Sequence, residues 1–173
     1  MRLAICFTLI SLLSGCTGLP EQVTPVKPFN IARYEGKWFE IARLDHSFER
    51  GLSHVTAEYS LKPDGSVDVI NSGIPAKTSE RRQANGVAKF VRDTNEGFLK
   101  VSFFGPFYGS YVIFELDQEK YEYAFITGYN KDYLWLLART PTVSSELKNQ
   151  FVQTALKLGF NIDGLIWVDQ SVN

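Results

Sequence analysis

Few residues in this chain are suited to chemistry. The histidines are His46 and His54, and the cysteines are Cys6 and Cys16. Asp45, His46 and Ser47 carry the side-chain types of an orienting acid, a base and a nucleophile, but direct sequence neighbours do not readily reach the geometry of a triad. A polar loop is the better reading of that stretch. Two histidines eight positions apart, with no cysteine left to join them in the mature chain described below, are a poor basis for a metal site. The chain also lacks a P-loop, a G-x-G-x-x-G turn and an H-E-x-x-H helix. No catalytic residue, metal or cofactor is assigned, and the chain is read as a binding protein and not as an enzyme.

Composition narrows the partner further. Among 173 residues, 18 are Lys or Arg and 19 are Asp or Glu, and no basic run exceeds Arg81-Arg82, so the electrostatic footprint of a nucleic-acid binder is missing. A neutral or apolar ligand fits this balance better. With 45% hydrophobic residues the chain can build one domain with a sizeable core.

The N-terminus stands apart. Arg2 precedes a mostly apolar stretch from Leu3 to Leu13, too short for a bilayer span of about 20 residues, and small residues follow. Leu13-Ser14-Gly15-Cys16 resembles the lipobox of bacterial lipoproteins. That resemblance implies a signal peptide over 1–15, cleavage before Cys16, palmitate-type acylation of Cys16 and a membrane anchor there. Thr17, in place of an Asp after the cysteine, implies the outer membrane by the same resemblance, with the domain facing the periplasm. Cleavage removes Cys6 and acylation consumes Cys16, which leaves no disulfide. Residues 17–28 carry Pro20, Pro25 and Pro28 among small and polar residues, a composition expected to stay extended as a tether. At about 3.3 Å per residue it reaches about 40 Å.

From Gly36 to Arg139, short runs rich in Val, Ile, Tyr, Phe and Leu alternate with turn residues such as Pro63-Asp64-Gly65 and Asn95-Glu96-Gly97. This rhythm predicts strands over 36–43, 54–61, 66–73, 85–92, 98–104, 110–117, 121–128 and 133–139. Eight strands joined by mostly short hairpins can hide their edges by closing into an up-and-down antiparallel β-barrel, and a two-sheet sandwich is the alternative that the strand pattern leaves open. After Pro141 the period changes: Leu147, Phe151, Ala155 and Leu158 fall on one helical face, with Ser144 or Ser145 as cap and Gly159 as stop. This helix is expected outside the barrel, and Leu165-Ile166-Trp167-Val168 as a short extra strand.

Gly36-Lys37-Trp38 opening the first strand, and Asp132-Tyr133-Leu134-Trp135-Leu136-Leu137-Ala138-Arg139 ending the barrel, resemble the lipocalin signatures. Ser102-Phe103-Phe104-Gly105-Pro106-Phe107-Tyr108-Gly109 and the loop from Asp45 to Gly51 add to the likeness. With the lipobox, the chain resembles the bacterial lipocalins, near apolipoprotein D, over residues 29–173. One departure is Thr127-Gly128-Tyr129 where the family usually has Thr-Asp-Tyr. The resemblance implies that Gly36, Trp38 and Arg139 are structural, with the guanidinium of Arg139 capping the indole of Trp38. It also implies a membrane-anchored carrier of a hydrophobic ligand, such as a fatty acid or lysophospholipid. Whether the chain is a homodimer is left open.

Strand alternation then selects the pocket. Starting from Arg139 at the closed end, it turns Leu137, Trp135 and Tyr133 inward, with Ala42 above Trp38 on the first strand. Val101 and Phe103 oppose the polar Lys100 and Ser102, and Tyr111 and Ile113 are the weaker choice on their strand. Glu40 shares Trp38's face, and a buried acid of this kind generally has a partner. A second reading, an enzyme acting on a lipid or isoprenoid inside the barrel, would draw on Glu40, Tyr111 and Tyr123, and a third, a filled structural barrel acting through protein partners, predicts a solid interior.

Overall fold

The computed structural model describes residues 17–78 and 80–171. The signal segment and Cys16 lie outside the described residues. A one-turn helix α1 (Ile31–Tyr34), capped by the Asn30 side chain, leads into β1 (Gly36–Leu44). There follow β2 (Leu52–Leu61), β3 (Val67–Pro75), β4 (Arg82–Phe90), β5 (Phe98–Phe104), β6 (Phe107–Leu116), β7 (Tyr123–Thr127) and β8 (Leu134–Ala138). Each pairs antiparallel with the next, and β1 pairs with both β8 and β2, so the eight strands close. Closure leaves no edge along most of the wall. Where β1 parts from β2, a short β9 (Leu165–Trp167) takes the vacated side of Ala42, Arg43 and Leu44.

The apolar residues sort into two layers. One lies inside the barrel and includes Trp38, Tyr59, Val69, Leu99, Ile113 and Leu137. The other lies between the wall and helix α2 (Ser145–Lys157), where Phe151 and Ala155 are fully buried and the Phe151 ring meets Phe125 edge-on at 4.9 Å. Ser144 is the cap, accepting from Leu147 N at 3.2 Å, and Gly159 leaves the helix with φ +76.

One end of the barrel is plugged. Trp38 is fully buried, and its indole donates to Tyr34 O at 2.8 Å. The Arg139 guanidinium lies 4.0 Å over the indole and donates to Lys37 O, Arg33 O and Tyr121 O at 3.0, 2.9 and 3.2 Å. Gly36, at φ +89, turns the chain beneath this pair with Arg139 Nη1 only 3.6 Å from where a Cβ would stand.

Residues 17–28 correct the expectation of a free tether. Gly18 O accepts from Ser110 Oγ at 2.7 Å, Val23 is buried in the outer layer, and Val26 exchanges backbone bonds with Ile113 O and Gly97 N. The segment turns at Pro20–Val23, where Val23 N donates to Pro20 O at 3.2 Å, and it carries apolar side chains to bury: Val23 in the outer layer and Val26 against the inner one.

Replacing Arg139 with Ala removes the cation–π contact and three charge-assisted bonds. Losses of about 1–2 kcal/mol for groups of this kind are typical, so thermal unfolding should show a loss of about 2 kcal/mol or more. Arg139→Lys should restore only part of it, because an ammonium cannot reach three carbonyls in one plane. A melting temperature unchanged in both variants would remove the plug from the account of stability.

Candidate functional site

Above the plug the interior passes from filled to hollow. Tyr111 receives or donates hydroxyl bonds to Tyr34 at 2.8 Å and to Tyr59 at 2.7 Å, so three phenols are joined across the barrel. Burial pushes all three hydroxyls well above the usual phenol range. Beside them is a small apolar space of about 40 Å³ lined by Phe29, Val67, Leu99, Val101 and Phe103 among others. Val101 and Phe103 also line a much larger cavity of about 700 Å³. Its walls include Leu52, Val55, Asn71, Ala84, Tyr133 and Trp135, and Phe48, Phe104, Phe107 and Tyr129 stand at its rim. A volume of this size lies within the range of small-molecule sites.

Of the residues expected in the pocket, Val101, Phe103, Tyr133 and Trp135 line the large cavity and Tyr111 the small one. Ile113 and Leu137 face inward but are packed in the core beneath. Ala42 is corrected: it is fully buried in the outer layer, on the helix side of the wall. The cause is a β-bulge in β1. Glu40 pairs with Leu137 and Ala42 with Leu136, so Ile41 is an extra residue and the faces exchange beyond it. Tyr123 is corrected too, since it packs in the outer layer and accepts from Gln150 Nε2 at 3.3 Å.

The bulge turns a residue that alternation had placed outside into the interior. Arg43 is 1% exposed, and its Nη1 donates to Glu40 Oε1 at 2.6 Å. Its Nη2 donates to Glu49 O and Leu52 O at 2.9 and 3.2 Å, which ties down the loop from β1 to β2. In that loop Glu49 and His46 are also buried, Glu49 Oε2 accepts from Trp135 Nε1 at 3.1 Å, and the His46 ring stacks on Phe48 at 3.9 Å. His46 Nε2 lies 3.0 Å from Glu49 Oε2. The polar loop is thus an ordered flap over one side of the cavity. Alternation gave no sign of Arg43 or Glu49. The one signal in the sequence is the acid at Glu40, which calls for a partner.

Glu40 has its carboxyl held well above the usual carboxylate range. Burial strips its water and the Glu49 carboxylate adds repulsion, and Arg43 offsets these only in part. At the opposite hairpin, Thr127 Oγ1 donates to Tyr133 O at 2.7 Å. Gly128 packs so closely on Tyr133 that a Cβ there would lie 2.9 Å from the Tyr133 Cβ. This contact accounts for glycine where the family usually has aspartate.

A closed barrel plugged at one end and hollow at the other defines a protein that holds a small molecule inside a sheet. The model of the lipocalin-like domain matches residues 29–170, and the chain belongs to the lipocalin family. It is 55% identical over 159 residues to the outer membrane lipoprotein Blc of Vibrio cholerae serotype O1, covering 92% of this chain and 93% of that one. To the outer membrane lipoprotein Blc of Escherichia coli (strain K12) it is 48% identical, covering 87% and 85%. Among solved structures, insecticyanin from the tobacco hornworm superposes with a TM-score of 0.71 at 20% identity, covering 89% of this chain and 87% of that chain. The last likeness is one of fold.

Glu40 yields a pH test. An acid whose folded pKa is raised holds its proton more tightly in the native state, so its ionisation opposes folding as pH rises from about 4.3 to the raised value. The melting temperature of Glu40→Gln relative to the wild type should therefore climb through that window. A difference independent of pH from 4 to 8 would show that Arg43 fully compensates the carboxylate.

Proposed function

We propose that this chain is a lipid-anchored lipocalin of the bacterial outer membrane, facing the periplasm, that binds or carries a single-chain lipid without transforming it. A fatty acid or lysophospholipid is the class of ligand that fits. The observation that carries this reading is the cavity of about 700 Å³, with Val101, Phe103 and Trp135 in its wall. Burying about ten methylenes contributes roughly 8 kcal/mol before the costs of association; micromolar binding needs about that much net, so a longer chain or a few polar contacts must offset those costs. The names of the relatives support the location, and Leu13-Ser14-Gly15-Cys16 supplies the attachment point. The groups an enzyme would need are otherwise engaged: Glu40 is bonded to Arg43, and the Tyr111 hydroxyl to two other phenols.

Two measurements follow. Titration of the mature chain carrying Cys16→Ser with a lysophospholipid should shift Trp135 emission, and Trp135→Ala should weaken binding about tenfold, or 1.4 kcal/mol, with the barrel still folded. No binding of any single-chain lipid at high micromolar concentration would end the carrier reading. In cells, Cys16→Ser should leave an unprocessed or soluble species; membrane retention equal to that of wild type would disprove the anchor.

A further inference from the structure

The chain enters the barrel at its open end. Gly18 O is held by Ser110 Oγ at 2.7 Å, and Ser110 borders the large cavity near the start of β6. From there the segment descends the wall. Val26 N donates to Ile113 O at 2.8 Å, and Phe29 N donates to Asn95 O at 2.7 Å, beside the plug. Cys16 precedes Gly18 by two residues, a contour of about 7 Å at most, whereas the ten residues of β6 span about 33 Å. A bilayer attached at Cys16 therefore meets the cavity end before it can reach the plugged end.

The same end is the one that displays aromatic surface. Phe104 and Phe107, paired across the Gly105-Pro106 turn, are 81% and 70% exposed, and Phe48 on the neighbouring flap is 59% exposed. Apolar residues exposed singly need no explanation, but a cluster on one rim marks an interaction surface. Cations accompany it. Arg82 borders the cavity, and among the described residues the Arg81 guanidinium is bonded to neutral acceptors, His54 O and Ser72 Oγ, so its charge is left for an outside partner.

We propose that the open end of the barrel docks face-down on the anionic phospholipid surface that carries the anchor. Phe104 and Phe107 enter the headgroup layer, as interfacial aromatic residues do, and single-chain lipids pass between bilayer and cavity without crossing water. This rests on the reading of Cys16 as the anchor and of the cavity as a lipid site, but its test can be made independent of natural acylation. Cys16 is the sole thiol of the mature chain, so it can be coupled to a maleimide lipid in phosphatidylglycerol–phosphatidylethanolamine vesicles containing brominated phospholipid. Two variants each add a tryptophan: Phe104→Trp at the open end, and Asp64→Trp in the turn between β2 and β3 at the plugged end.

After subtraction of the emission of the parent chain, the tryptophan added at position 104 should be strongly quenched by bromine and the one at position 64 should not. Quenching of neither, or of position 64 as much as position 104, would overturn the orientation. Shielding of position 104 in solution without vesicles, with the chain sedimenting as a dimer, would assign the rim to a second copy and overturn it as well. Binding of lysophospholipid by the parent chain, with Phe104 intact, would persist in those cases, which separates failure of docking from failure of the carrier reading.

Discussion

The guanidinium of Arg139 stacked on the indole of Trp38 fixes where the barrel stops. Hydrogen bonding closes an eight-stranded wall but leaves its ends open, so one end has to be filled by side chains. Phe39 pairs with Ala138, which puts Trp38 and Arg139 at adjacent corners of neighbouring strands as soon as β8 finds β1. Arg139 then uses its donors on carbonyls of α1, of the start of β1 and of the turn before β7. Two stretches distant in sequence, residues 33–37 and the turn before β7, are thereby gathered around one indole. The register of β8 follows from that point, which is why Leu137 and Trp135 face the interior at successively higher levels.

The depth of the site follows from what stands on the plug. Rings occupy the lower barrel: Tyr34 lies 4.6 Å from Trp38 and 5.3 Å from Tyr59, and the Tyr111 hydroxyl joins the two phenols. Higher up the wall is built from smaller residues, among them Gly73, Ala84 and Gly109, and the space opens. Gly86 shows how the two regions are joined. A Cβ there would lie 2.8 Å from the Phe103 ring, so the ring lies flat against bare backbone and borders the cavity without filling it. A side chain at Gly86 would push that ring toward the space a ligand needs.

Much of this was legible from residue spacing, because half-buried strands and amphipathic helices write their period into the sequence. The barrel, the outer helix and the inward set on β5, β6 and β8 follow from alternation together with the resemblance at Trp38 and Arg139. What escaped were departures from period two. Ile41 inserts one residue into β1, sending Ala42 outward and Arg43 inward, and nothing in Glu40-Ile41-Ala42-Arg43 distinguishes this from regular alternation. β4 begins at Arg82, three residues before the expected start, because Arg82, Gln83 and Ala84 are exposed at the border of the cavity, where a strand carries no apolar alternation. The segment before residue 29 looked like a tether by composition, since Val23 and Val26 are too few to form a pattern. They became meaningful only once a wall existed for them to cover.

The bulge also explains how a charged group can sit inside a lipid-sized barrel. A buried guanidinium alone would be prohibitively costly, and Arg43 is compensated by Glu40 and by two loop carbonyls. The Glu49 carboxylate is in turn bonded to the Trp135 indole. These contacts link the floor side of β1, the flap and β8 in one chain of charge-assisted bonds. The Arg43, Glu40 and Glu49 side chains direct their polar ends largely at one another or at backbone, and the flap borders the cavity with Phe48, beside Trp135 of β8. Polar contacts thus hold the mouth in shape, and apolar surface is left for the ligand.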